Sequence, residues 1–407
     1  MTTSSQIPFS DVPADAEQQP MPFKLHIEEE KLNDLKALLH LSPVARETFE
    51  NLQEDGKFGV SRKWMLATKR FWENEFNWRR EEDHINSFPN FKTQITDDDG
   101  TKFDIHFVAL FSKKKDAIPI SFFHGWPGSF LEFLPMMGLL REKFTPENLP
   151  YHIIAPSLPG YTLSSQPPLH KDWRVEDSAR IMQKLLLSLG FGATGYVAQG
   201  GDIGSMIART LAVTYPECKA MHLNFVFMLT PPGPEVTEDE ITAQEKKGLE
   251  RMKEFNATGN AYGRMHGTRP ATIGHVLSSS PLALLAWVGE KFLAWSDPST
   301  TPSISTILAD VTLYWLTESF PSSIYTYRQD FTSRSEHYFH GQAKLYLDKP
   351  FGYSYFPFEL MPMPKAWVER TGKLVYFKAH EKGGHFAALE RADALWDDVE
   401  GLVKRLK

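Results

Sequence analysis

One cysteine, Cys218, stands among 407 residues. That excludes an intramolecular disulfide framework and any cysteine-rich zinc site, and it fits a reducing compartment. Long membrane-spanning runs are also missing. The uncharged stretch Ile273–Gly289 is broken by Ser278-Ser279-Ser280-Pro281 and holds a histidine, so it reads as a buried loop and helix. The first twenty residues carry acids and no apolar segment, which excludes a signal peptide and suggests a loose arm. Net charge is −7, and no Lys/Arg run follows a helical pattern, so nucleic-acid binding is not expected. Internal repeats and low-complexity tracts are absent. Aromatic residues, by contrast, are plentiful, with 29 Phe, 13 Tyr and 10 Trp. Such a load implies a large core and a roomy apolar site.

The pattern of apolar residues divides the chain. Residues 1–22 read as a flexible arm. Residues 23–100 form a largely helical, tryptophan-rich meander that wraps something apolar, with Leu32, Leu35 and Leu39 on one helix face. Strands are expected at 91–95 and 103–110. Strands and helices then alternate: Ile118–Phe123, His152–Ala155, a helix from Val175 to Leu189, Tyr196–Gln199, a helix Met206–Thr214, and Met221–Phe225. Around Pro231 the alternation stops. Residues 231–330 read as an inserted helical cap. A strand at Lys373–Lys378 and a last helix, with Leu395, Val399, Leu402 and Leu406 on one face, return to the core. The expected fold is therefore α/β. A mostly parallel sheet is split into 101–230 and 331–407, with a helical cap between them and a meander before them.

One motif misleads. Gly190-Phe191-Gly192-Ala193-Thr194-Gly195 matches GxGxxG, but a helix precedes it and a strand follows, the reverse of a dinucleotide site. Gly200-Gly201-Asp202-Ile203-Gly204 sits between a strand and a helix, with small residues two positions either side of the aspartate. That is nucleophile-elbow geometry with Asp where hydrolases often have Ser. A carboxylate there is anionic at neutral pH and needs no base to attack. The plainer reading, an aspartate N-cap in a glycine-rich turn, has about equal weight on this motif alone. His124-Gly125-Trp126-Pro127 follows an earlier strand, where this architecture supplies an oxyanion-hole N–H, to be paired with that of Ile203. His385, in Gly383-Gly384-His385-Phe386, lies past a late strand and is the candidate base, with His380 as a competitor. Glu359, a lone acid in Phe356-Pro357-Phe358-Glu359-Leu360, is the candidate orienting acid, with Asp348 as its competitor.

With these residues assembled, the chain resembles epoxide hydrolases of the α/β-hydrolase fold. It is similar to the microsomal type and, within it, to soluble fungal members. HGWPGSFLEF, PSLPGY, QGGDIGS and GGHFAALE carry the resemblance in the core, and Phe76-Asn77-Trp78-Arg79 with Glu82, Ile85-Asn86 and Phe88-Pro89 in the meander. The resemblance implies that Asp202 is the nucleophile, His385 the base and Glu359 the acid. It implies Trp126 and Ile203 as oxyanion donors, and two cap tyrosines, Tyr262 and Tyr327, that bind the epoxide oxygen. Trp126 would also touch the substrate, and Tyr325 competes with Tyr327. The expected substrate is a small apolar or aromatic epoxide, opened to a vicinal diol through an ester on Asp202. No metal or organic cofactor is implied. Also implied are a soluble cytoplasmic enzyme of detoxification without a membrane anchor, and a homodimer formed through the cap or N-terminal region. Two departures stand out. Glu359 replaces the Asp of the fungal pattern, and Ile203 replaces a Trp frequent in soluble relatives.

Two alternatives follow from the same residues. A haloalkane dehalogenase also uses an aspartate elbow, but Ile203 cannot supply the indole donor for a halide. A non-catalytic ligand-binding protein on this fold would typically lack a member of the triad.

Overall fold

The computed structural model describes residues 7–233, 236–329 and 338–406. The N-terminal meander holds α1 (Glu29–Leu41), α2 (Arg62–Asn74) and α3 (Trp78–Asn86). Its polar punctuation starts two of these helices. Ser61 Oγ accepts the Trp64 N–H, and Asn77 Oδ1 accepts those of Arg79 and Arg80. Leu32, Leu35, Leu39, Trp72 and Trp78 turn inward and are buried. The loose arm expected over 1–22 is corrected for residues 7–22. Phe9 is buried, its carbonyl accepts the Phe111 N–H at 3.0 Å, and Gln18 N–H donates to the Ser188 carbonyl at 3.2 Å. Residues 1–6 lie outside the described residues.

The alternating apolar runs become one sheet. Its strands are β1 (Met21–Pro22), β2 (Asn90–Thr96), β3 (Lys102–Leu110), β4 (Ile118–Phe123), β5 (Tyr151–Pro156), β6 (Tyr196–Gly200), β7 (Cys218–Leu223), β8 (Leu347–Tyr355) and β9 (Gly372–Ala379). The order is β1-β2-β3-β5-β4-β6-β7-β8-β9. Pairs along β1-β2-β3-β5 are antiparallel and those from β5 to β9 are parallel. β5 and β6 are buried along their whole length, as strands covered on both faces must be. Helix α4 (Leu134–Lys143) packs beside the last helix, Ala392–Val403, while α5 (Val175–Ser188) packs beside α6 (Asp202–Thr214).

Between β7 and β8 lie α7 (Ala243–Glu254), α8 (Ala261–Thr268), α9 (Pro270–Leu277), α10 (Pro281–Trp295) and α11 (Ile304–Leu316). Among the described residues of this segment there is no strand. The stretch Ile273–Gly289 is divided between α9 and α10, which meet at 116°. No single helix among the described residues is long and apolar enough to cross a membrane. The meander is tied to this helical layer. Lys31 Nζ donates to the Leu316 carbonyl, Ser42 Oγ lies 3.0 Å from Ser280 Oγ, and the Trp64 ring fills the space beside Gly289.

Candidate active site

Strand β6 runs directly into α6 through Gly201, and Asp202 is the first residue of that helix. Its φ is +45°, an unusual conformation for a residue with a Cβ. The turn leaves no space for its neighbours. A Cβ at Gly204 would lie 1.9 Å from the Phe123 carbonyl oxygen, so a small residue is required. The tight turn presses Asp202 against the loop after β4. Trp126 N–H donates to Asp202 Oδ1 at 2.8 Å. The expected start of this helix at Met206 is thus four residues late, because the aspartate itself opens it.

The other oxygen faces the histidine. His385 Nε2 lies 3.4 Å from Asp202 Oδ2, and His385 Nδ1–H donates to Glu359 Oε1 at 2.5 Å. Burial opposes a charge on this imidazole. The carboxylates of Glu359 and Asp202 on either side outweigh it and push its pKa up to about 10. Glu359 Oε1 also accepts the Leu360 N–H at 2.6 Å. Arg251, from α7, donates to the Glu359 carbonyl at 2.8 Å, so the helical layer grips the acid's backbone.

The competing residues stand elsewhere. Asp348 is exposed on β8. His380 Nε2 lies 2.6 Å from Asp398, whose other partners are Ser354 and Tyr376. His124 accepts the Leu158 N–H at Nε2, and burial pushes its pKa down to about 4, so it stays neutral. The GxGxxG segment is the turn between α5 and β6.

A cavity of about 650 Å³ opens over Asp202. Ile203, Tyr262, Tyr327, Met252 and Phe255 help line it. Its size falls within the range for small-molecule sites. The rings of Tyr262 and Tyr327 are 5.8 Å apart, and Trp126 stacks on Tyr262 at 5.5 Å. Burial, then the nearby Tyr262 and Asp202, hold the Tyr327 phenol well above its ordinary pKa, so it keeps its proton. The structure thus gathers Asp202, His385, Glu359, Trp126, Ile203, Tyr262 and Tyr327 around one site.

Glu390 was not singled out in the sequence. It closes GGHFAALE and accepts N–H bonds from Gly384 at 2.9 Å and Phe386 at 3.0 Å, on both sides of His385. It also accepts from Asp297 N–H and from Thr300 Oγ1. Its place in the motif was the only available signal, since nothing local predicts four donors converging on one carboxylate.

Residues 20–133 match the family described as "Epoxide hydrolase N terminus", and residues 118–260 match "alpha/beta hydrolase fold". A protein of Dothistroma septosporum named "Putative epoxide hydrolase" is 42% identical over 398 residues, covering 97% of this chain and 92% of that protein. "Epoxide hydrolase 1" of Oryctolagus cuniculus is 29% identical, covering 94% of this chain and 89% of that one. A solved structure of an Aspergillus niger epoxide hydrolase superposes with a TM-score of 0.92 at 49% identity, covering 98% of this chain and all of that one. A chain with this sheet, this elbow and these relatives belongs to the epoxide hydrolases of the α/β-hydrolase fold.

Proposed function

We propose that this enzyme converts a small apolar or aromatic epoxide to a vicinal diol in two steps, through an ester on Asp202. The observation that carries the reading is the unbroken line from Asp202 through His385 to Glu359, beneath a wall that holds two tyrosines. In the first step a carboxylate oxygen of Asp202 bonds to one epoxide carbon as the C–O bond opposite it breaks. Tyr262 and Tyr327 donate hydrogen bonds to the oxygen as it gains charge, and one of the two phenols passes its proton to it. Segment 231–330 acts as the cap that carries Tyr262 and Tyr327 over the core.

The charge pattern couples this step to the next. Before reaction, two carboxylates support a positive His385. Esterification removes the charge of Asp202 and leaves only Glu359 beside the ring. The imidazolium therefore loses one of its two anionic partners and gives up its proton, through solvent, to the phenolate left by the first step. The neutral ring then takes a proton from water as the water oxygen bonds to the ester carbon. The N–H groups of Trp126 and Ile203 hold the resulting oxyanion. Collapse restores the Asp202 carboxylate, and the diol oxygen leaves with the proton from His385. Glu359 holds the ring's orientation throughout.

Incubating His385→Gln with styrene oxide tests the reading. The intact protein should gain the mass of one epoxide, located on the Asp202 peptide. A variant that neither turns over nor gains mass would refute the covalent route.

A further inference from the structure

A second, much smaller chamber adjoins Asp202. It holds about 20 Å³ and is lined by Trp126, Glu132, Gln199, Asp202, Asn224 and His385, among others. A polar site needs roughly 10–15 Å³ to seat one water molecule. Asp202 lines both this chamber and the large cavity, whereas His385 lines only the chamber. An alkyl group on Asp202 would occupy the large cavity. The ester carbon is then open on the side where the base stands.

Glu132 is the unexplained member of this chamber. It lies in the short turn Phe130–Phe133 after HGWPGS, between two buried phenylalanines. Its carboxyl folds back over the loop after β4: a Cβ at Gly128 would lie 1.5 Å from Glu132 Oε1. Among the described residues no hydrogen bond reaches that carboxyl, and the favourable charge of His385 is outweighed by burial and the acids around it. Besides His385, the charges that act on it are the carboxyls of Asp310, Asp202 and Glu359. Burial and those acids hold it well above the ordinary carboxyl pKa, which favours the neutral form. A half-buried carboxyl with no hydrogen-bond partner among the described residues, at the edge of a chamber sized for one water, is a ready-made acceptor for that water.

We propose that Glu132 is a positioning residue that seats the hydrolytic water for attack on the Asp202 ester. Its carboxyl oxygen accepts one O–H of the water. The other O–H points to His385 Nε2, which takes that proton, and the lone pair is aimed at the ester carbon. The role rests on the two-step reading and acts only in its second step.

The test separates the half-reactions in the full-length enzyme. Alkylation and ester hydrolysis are followed with styrene oxide by rapid quench and intact mass, for Glu132→Met, which keeps the length and loses the acceptor, and for Glu132→Gln, which keeps an acceptor. Glu132→Met should alkylate at the parent rate, which also shows that it is folded. Its ester should persist about 10–100-fold longer, the cost of a misplaced reactant. Glu132→Gln should hydrolyse within about fivefold of the parent, because its amide carbonyl still accepts. An unchanged ester lifetime in Glu132→Met, or equal loss of both half-reactions, overturns the assignment. His385→Gln is run alongside. If it traps ester while Glu132→Met does not, only Glu132 loses its role; if neither traps ester, the two-step reading falls.

Discussion

Tyr325 and Tyr327 stand two positions apart on one short turn and serve different partners. Tyr325 Oη lies 2.6 Å from Ser178 Oγ, on α5, whereas Tyr327 lines the large cavity beside Tyr262. Residues two apart on so tight a turn must diverge, and the divergence assigns one to the packing and the other to the cavity.

Tyr327→Phe should therefore slow alkylation, and Tyr325→Phe should not. Removal of a donor to a developing oxyanion costs about 2–4 kcal/mol, and with Tyr262 still present the loss should sit near the lower figure. The Tyr262→Phe, Tyr327→Phe double variant should lose alkylation almost entirely. Tyr325→Phe should lose about 1 kcal/mol of stability, the usual worth of one hydrogen bond. Single-turnover alkylation and urea unfolding read the two effects. A parent alkylation rate in the double variant would remove the tyrosines from the chemistry.

Glu359→Gln should slow ester hydrolysis on the order of 10²–10⁴-fold, because an amide presents an N–H where His385 Nδ1 needs an acceptor. Alkylation should fall far less. Asp348→Asn, at an exposed position, should stay within about twofold on both steps. Pre-steady-state measurement of both steps checks the ranking, and the reverse ranking would move the acid's role to Asp348.

The His385 cluster also predicts a pH dependence of stability. The pKa of His385 rises from 6.5 to about 10 on folding. The folded state therefore binds a proton more tightly than the unfolded chain. The stabilisation is complete below pH 6.5 and is lost as pH climbs through about 10. Urea midpoints should fall over that window in the parent, and the fall should be shallower in His385→Gln. Parallel profiles would show that the imidazole is neutral in the folded protein.

Glu390→Gln should loosen the loop that carries His385. Burial pushes the Glu390 carboxyl up to about 7, against the backbone N–H donors that favour its charged form. The amide offers one acceptor in place of two, so Gly384, Phe386 or Asp297 would lose its bond. A stability loss of about 2 kcal/mol is expected, since bonds to a charged group are worth about 1.5–3 kcal/mol. Ester hydrolysis should slow more than alkylation. Calorimetry and single-turnover rates decide the matter, and an unchanged melting temperature would demote Glu390 to a bystander.

The elbow and the strands around it were legible because their constraints are local. Small residues flank Asp202 where a Cβ would collide, and β5 and β6 are short unbroken apolar runs. β8 was not identified. Its sequence, LDKPFGYSY, carries Pro350 and Gly352, which read as a turn, and the structure absorbs them as irregularities in the pairing with β9. The docking of residues 7–22 was equally hidden. It depends on bonds to Phe111 and Ser188, about a hundred or more residues away, and no local pattern records them. Glu132 escaped for the opposite reason. An acid inside Phe-Leu-Glu-Phe looks like an exposed position on a short helix, and only the fold shows that it turns toward Asp202.

The large cavity has two authors. Its floor, at Asp202 and Ile203, comes from the elbow, while Met252, Phe255 and Asn256 come from α7 and the turn beyond it. Among the described residues, those three share no hydrogen bond with the Asp202–His385–Glu359 line. On the proposed two-step route, the handedness of the product would be set by which epoxide carbon meets the carboxylate, and so by how the substituents lodge against that far wall. Reshaping that wall should then shift chiral preference while leaving the bond-making groups in place, which makes these positions the natural place to tune a resolving catalyst.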